Sequence, residues 1–153
     1  MTACRLWRAF LLLIQSLLGS SVGWWQLGPR DQPYGRFARG LEHNSSRTTI
    51  RIQLDPLFGA AAVKSGRSGQ AARALVRVVY FDRGTGAWQL GQDGAAVSSV
   101  HKQDTQTWQV SETNVTLGQG QGRGAGNNGT LLTLSSLDGE DDVFSILEVL
   151  LWQ

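Results

Sequence analysis

The side chains able to do chemistry are few in this chain and widely spread. Its two histidines, His43 and His101, have no partner at a metal-ligand spacing such as H-x-x-x-H or H-E-x-x-H. The single cysteine stands at position 4, so the chain has no thiol pair for a disulfide or a thiolate cluster. Glu42, Asp55, Asp82, Glu112 and Glu148 are far apart in sequence, which does not stop folding from pairing two of them as the acids of a glycosidase. A small domain leaves little chain for a cleft that tunes such a pair, so an enzyme is the weaker reading. Gly19-Ser20-Ser21-Val22-Gly23 fits G-x-S-x-G but has no strand before it. Gly124-Ala125-Gly126-Asn127-Asn128-Gly129 fits G-x-G-x-x-G but follows a glycine-rich stretch and precedes TLLTL rather than a helix. By context the first belongs to an N-terminal targeting segment and the second is a loop. Asp138, Glu140, Asp141 and Asp142 form an acidic cluster that calcium could use, yet Val143 stands where the calcium loop needs glycine. A solvated turn is the preferred reading, and no cofactor is expected.

The aromatic residues are the richer set. Tyr34, Trp88 and Trp108 each combine a large apolar body with a polar handle, the combination that stacks on the C–H faces of sugar rings while hydrogen-bonding to hydroxyls. Trp88 and Trp108 also lie within strand patterns, which suits them to a core. Adjacent Trp24 and Trp25 point opposite ways in an extended chain.

Charge and place constrain partners. The formal net charge is +2, from 14 Lys and Arg against 12 Asp and Glu. Arg5 and Arg8 account for that excess, so the rest of the chain is neutral and no nucleic-acid partner is expected. They open a segment, residues 1–23, with a basic start, an apolar run from Ala9 to Leu18 and small residues at its end. This is the pattern of a secretory signal peptide, with cleavage after Gly23 or Ser21. The run is too short to span a bilayer, and no membrane span is expected after cleavage. In a secreted chain the sequons at Asn44, Asn114 and Asn128 become glycan acceptors.

The elements that must position these residues follow a period of two. Ile50, Ile52 and Leu54 share one face of a strand over 48–54, with Arg51 and Gln53 on the other. A denser strand over 75–81 sets Val76, Val78 and Tyr80 against Leu75, Val79 and Phe81, with Arg77 as its one polar interruption. Asp82-Arg83-Gly84-Thr85-Gly86 has turn chemistry, and the strand resuming at Ala87 to Leu90 predicts a hairpin. Further extended runs cover 108–117, 129–134 and 143–152. Asn114 and Thr116 share a strand face, which should be solvated. The small-residue stretch 60–73 and the glycine-rich stretch 118–129 read as loops. An all-β antiparallel sandwich, jelly-roll-like, is expected as a single domain over 34–153, after the signal peptide and a short extension over 24–33.

The order of segments resembles a non-catalytic, carbohydrate-binding-like β-sandwich module of secreted proteins, also found beside glycoside hydrolases. The likeness is strongest over Val76 to Leu90, where an apolar strand runs into Asp82-Arg83-Gly84-Thr85-Gly86 and Trp88. Phe37-Ala38-Arg39, Trp108 and Val143 to Val149 match more loosely, and 118–132 departs from the pattern. The resemblance implies a fold and a class of partner, and it carries Asp82, Arg83 and Trp88 over as motif positions. A structural role is open for each: Asp82 and Arg83 could pair across the turn above a packed Trp88. The expectation is an extracellular glycan or polysaccharide binder without turnover. The alternative is an extracellular protein-interaction or structural domain that lacks a sugar site, and a small glycoside hydrolase is the remaining reading.

Overall fold

The computed structural model describes residues 8–9, 23–25, 38–41, 48–55, 58, 72–117 and 129–151. Ten strands are described: β1 (Arg8–Ala9), β2 (Gly23–Trp25), β3 (Ala38–Leu41), β4 (Thr49–Gln53), β5 (Ala72–Asp82), β6 (Ala87–Gln92), β7 (Ala95–His101), β8 (Thr107–Leu117), β9 (Leu131–Ser136) and β10 (Asp142–Leu151). They form two antiparallel sheets. One runs β2-β3-β10-β5-β8, with β1 also on β10, and the other runs β4-β9-β6-β7. The chain is an all-β sandwich. Among the described residues no helix is long and apolar enough to cross a membrane.

Strand alternation decides which side chains fill the space between the sheets. On β5 the inward set includes Ala74, Val76, Val78 and Tyr80, all buried. On β4, Ile50 is buried and Ile52 half-buried, while Arg51 and Gln53 are exposed, and Leu54 is buried just past the strand's end. Trp88 of β6 reaches from its own sheet into the other, with its ring 5.2 Å from both Tyr80 and Phe144 in edge-to-face geometry.

The expected hairpin over Asp82 to Ala87 is not there. β5 pairs with β8 and β10, whereas β6 pairs with β7 and β9, so this turn carries the chain from one sheet to the other. Besides the local bond from the Arg83 N–H to the Phe81 carbonyl, the turn is tied to another segment: the Lys102 N–H donates to the Gly86 carbonyl and the Gln106 N–H to the Asp82 carbonyl. The true hairpin joins β6 to β7 through Asp93 and Gly94, at φ 51° and 87°. Asp-Gly is the dipeptide that favours such a turn, since both central residues need positive φ.

β10 carries a bulge. Its register against β5 shifts between Phe144 and Ile146, so Phe144 faces Tyr80 inward and Ile146 faces Val79 outward. That shift places Glu148 beside Arg77 on the outer surface.

Candidate functional site

Two polar constellations emerge, one at the end of the sandwich and one on its outer face. At the end, Asp82 closes β5 with a side chain 2% exposed. Its Oδ1 accepts the Gln103 N–H at 2.7 Å; its Oδ2 accepts the Thr105 N–H at 3.1 Å and the Thr105 hydroxyl at 2.6 Å. Burial disfavours the charge, but these donors outweigh it and hold the Asp82 carboxyl below its usual range. Beside it, Lys102 Nζ lies 2.8 Å from Asp142 Oδ1 and 3.3 Å from Glu140 Oε2. Burial opposes the ammonium, yet Asp142 and Glu140 hold its pKa up. Asp142 is pushed up by burial, against the pull of Lys102.

The acidic stretch Asp138 to Asp142 is thereby anchored rather than simply solvated. Asp138 accepts the Ala87 N–H through Oδ2 and the Glu140 N–H through Oδ1, and Glu140 Oε2 accepts the Gly86 N–H at 3.0 Å. Gly84 and Gly86 permit this. A Cβ at Gly84 would meet the Glu140 carboxylate and one at Gly86 the Asp138 carboxylate. Asp138 and Glu140 are engaged with backbone donors and Asp142 Oδ1 with Lys102, and among the described residues no three His, Cys, Asp or Glu side chains gather as a metal site would require.

The outer face of the β10-β5-β8 sheet is built from residues directly opposite one another, which share a face. Trp108, Phe81 and Val143 make one row; Val110, Val79 and Ile146 the next; Glu112, Arg77 and Glu148 the third; Asn114, Leu75 and Leu150 the fourth. Trp108 is half-buried, its ring 5.3 Å from that of Phe81 and tilted by 59°. Its indole Nε1 is buried without an acceptor among the described residues. Val110 is 49% exposed. In the third row Arg77 Nε lies 2.7 Å from Glu112 Oε1 and Nη1 lies 3.2 Å from Glu148 Oε2. Hydrogen bonding to Glu112 raises the Arg77 pKa; burial opposes it, and the charge of Glu112 together with the hydrogen bond and charge of Glu148 adds to the rise.

The expected site residues separate on this frame. Trp88 leaves the stacking set: it is 1% exposed in the core, and a sugar can stack only on a ring it can reach. Asp82 fastens the 103–105 backbone instead of pairing with Arg83, so it is not open to a ligand, and Arg83 sits exposed in the turn. Trp108 keeps reachable surface. Tyr34, Asn44 and Asn128 lie outside the described residues, as does Glu42, while Asn114 is exposed on the same outer face as Trp108. Glu112 and Glu148 are brought together as the glycosidase reading asked, but with the Arg77 guanidinium between them. Lys102 escaped sequence reasoning because its partner is 40 positions away and nothing local marks it as buried.

No protein-family profile matches the chain, and no curated protein matches it. Among solved structures, the native structure of a family 35 carbohydrate binding module from Clostridium thermocellum is similar, with a TM-score of 0.53 and 9% identity over 97% of this chain and 98% of that one. At that identity the likeness speaks to the fold alone, a β-sandwich.

Proposed function

We propose that this chain is a secreted, glycosylated module that binds a glycan on the outer face of the β10-β5-β8 sheet, without chemical turnover. One observation carries the reading: Trp108 is half-buried, braced by Phe81, at the head of a face that passes an apolar row at Val110 to the charged row of Glu112, Arg77 and Glu148 and then Asn114. An aromatic ring offers a sugar its apolar platform, and the rows beyond offer hydrogen bonds to hydroxyls. The similarity to a carbohydrate binding module supports the same class of ligand. Secretion and glycosylation are supported by the segment 1–23 and the three sequons. Non-catalytic binding is supported by Arg77, which engages both carboxylates of the face as ion-pair partners. A glycan array followed by titration of intrinsic tryptophan fluorescence tests the proposal. A saccharide response that Trp108→Ala abolishes, with the thermal melt retained, is the expected result. Absence of any response across the array would favour a protein-contact face instead, the reading that exposed Val110 supports.

A further inference from the structure

We propose that the Glu112–Arg77–Glu148 row sets the charge preference of this face, admitting glycans that lack carboxylates and favouring those that carry free amines. The inference rests on the reading of the outer face as the glycan site. One guanidinium stands between two carboxylates, at 2.7 and 3.2 Å, so the row carries a net negative charge. Arg77 is the residue that could form a fork with a uronate, and two of its nitrogens already face Glu112 and Glu148. A sugar carboxylate approaching it meets two like charges first. An amine meets the opposite situation, because the Glu112 side chain is 47% exposed and can accept a charge-assisted hydrogen bond.

The reach is suitable. Trp108 and Glu112 lie four residues apart on one face of β8, about 13–14 Å at the rise of an antiparallel strand. A short oligosaccharide lying along β8 from Trp108 therefore crosses the row. Arg8, whose register on β1 sets it opposite Leu150, falls in the segment that the secretion reading removes, and the next cation on this face of β5, Arg73, lies four residues beyond Arg77, again about 13–14 Å away. That exceeds the Debye length of about 8 Å at physiological salt, so Arg73 does not offset the row.

The experiment titrates the secreted, processed protein at physiological salt with hexamers of glucosamine, glucose and galacturonic acid, reading tryptophan fluorescence and heat. The glucosamine hexamer should bind tightest and the galacturonic acid hexamer at least roughly ten-fold weaker than the glucose hexamer, as like-charge juxtaposition demands. Glu112→Gln should bring glucosamine to within about two-fold of glucose, since its charged acceptor is gone. The double variant E112Q/E148Q, which leaves Arg77 uncompensated, should gain affinity for galacturonate. Thermal melts of both variants separate these shifts from loss of fold. Galacturonate binding as tightly as glucose, or a glucosamine preference that survives E112Q, overturns the charge assignment and leaves the glycan reading standing. No response to any hexamer overturns the assignment together with the site.

Discussion

Lys102 Nζ lies 2.8 Å from Asp142 Oδ1 with both side chains 1% exposed, so a buried ion pair ties the loop after β7 to the first residue of β10. The same ammonium reaches the Asp141 carbonyl at 3.2 Å and the Glu140 carboxylate at 3.3 Å. A pair this deep gains little over apolar packing, but removing one partner strands the other. Lys102→Met is therefore expected to lower unfolding free energy by about 3–5 kcal/mol at neutral pH. Burial already pushes Asp142 toward its neutral form, and without Lys102 the carboxyl shifts further the same way. The deficit of Lys102→Met should thus shrink as pH is lowered, because protonation removes the stranded charge. Urea denaturation at neutral and mildly acidic pH checks both parts.

The acid limb of stability has a different owner. Asp82 is held below its usual range by the Thr105 hydroxyl and the backbone N–H groups of Gln103 and Thr105, against burial. A carboxyl with a depressed folded pKa gives stability that is complete above its unfolded value, about 3.9, and is lost as pH falls through the folded value. Unfolding free energy should fall across that acidic window, and Asp82→Asn should flatten the slope. Asp82→Ala leaves buried donors unpaired and should cost about 1–3 kcal/mol at pH 7. Denaturation midpoints measured from pH 7 to pH 2 distinguish the two effects.

Gly86 of the D-R-G-T-G turn is required for a different reason than the glycine of the hairpin. At Gly86 the space of a Cβ is filled by the Asp138 carboxylate, which caps the Ala87 N–H. At Gly94 nothing lies within 4 Å, and only the φ of 87° resists a side chain. Gly94→Ala should cost about 1–2 kcal/mol, the strain of a left-handed residue. Gly86→Ala should cost more, and the cost should be less than additive with Asp138→Ala, which vacates the same space. A double-mutant cycle by thermal unfolding measures that coupling.

The alternation of Ile50, Ile52 and Leu54, and the two opposed sets on β5, are local properties of the chain, and they were legible because a strand's period is two. The destination of a turn is not local. Asp82 to Gly86 has turn chemistry whether it closes a hairpin or changes sheets, and the deciding contacts come from Lys102, Gln106, Asp138 and Glu140. β7 was missed because its run of Ala, Val and Ser lies largely exposed on a sheet edge and carries no dense apolar signal. The bulge hid the outer face in the same way: Val143 to Leu151 reads as a continuous apolar run until the register shift assigns Ile146 and Glu148 to solvent's side. Trp108 could be found by type and position, whereas the row around Arg77 needs three strands brought into register.

A chain beginning at Trp24 is expected to fold as cooperatively as the full chain. Two short strands involve the N-terminal region: Arg8–Ala9 aligns with Leu150 and Val149, and Gly23–Trp25 with Gly40 to Ala38. Cleavage after Gly23 removes the first pairing and the Gly23 end of the second. β10 retains β5 along Val143 to Leu151 and β3 at its start. Every buried hydrophobic residue of the described core lies at Ala38 or later, within the shorter chain. The melting temperature of residues 24–153 should fall within about 2–4 °C of the full chain, the shift that 1 kcal/mol produces in a domain of roughly 150 residues. Calorimetry on both chains provides the comparison, and a broad, non-cooperative melt of the shorter chain would assign the N-terminal strand a structural role that the register of β10 does not require.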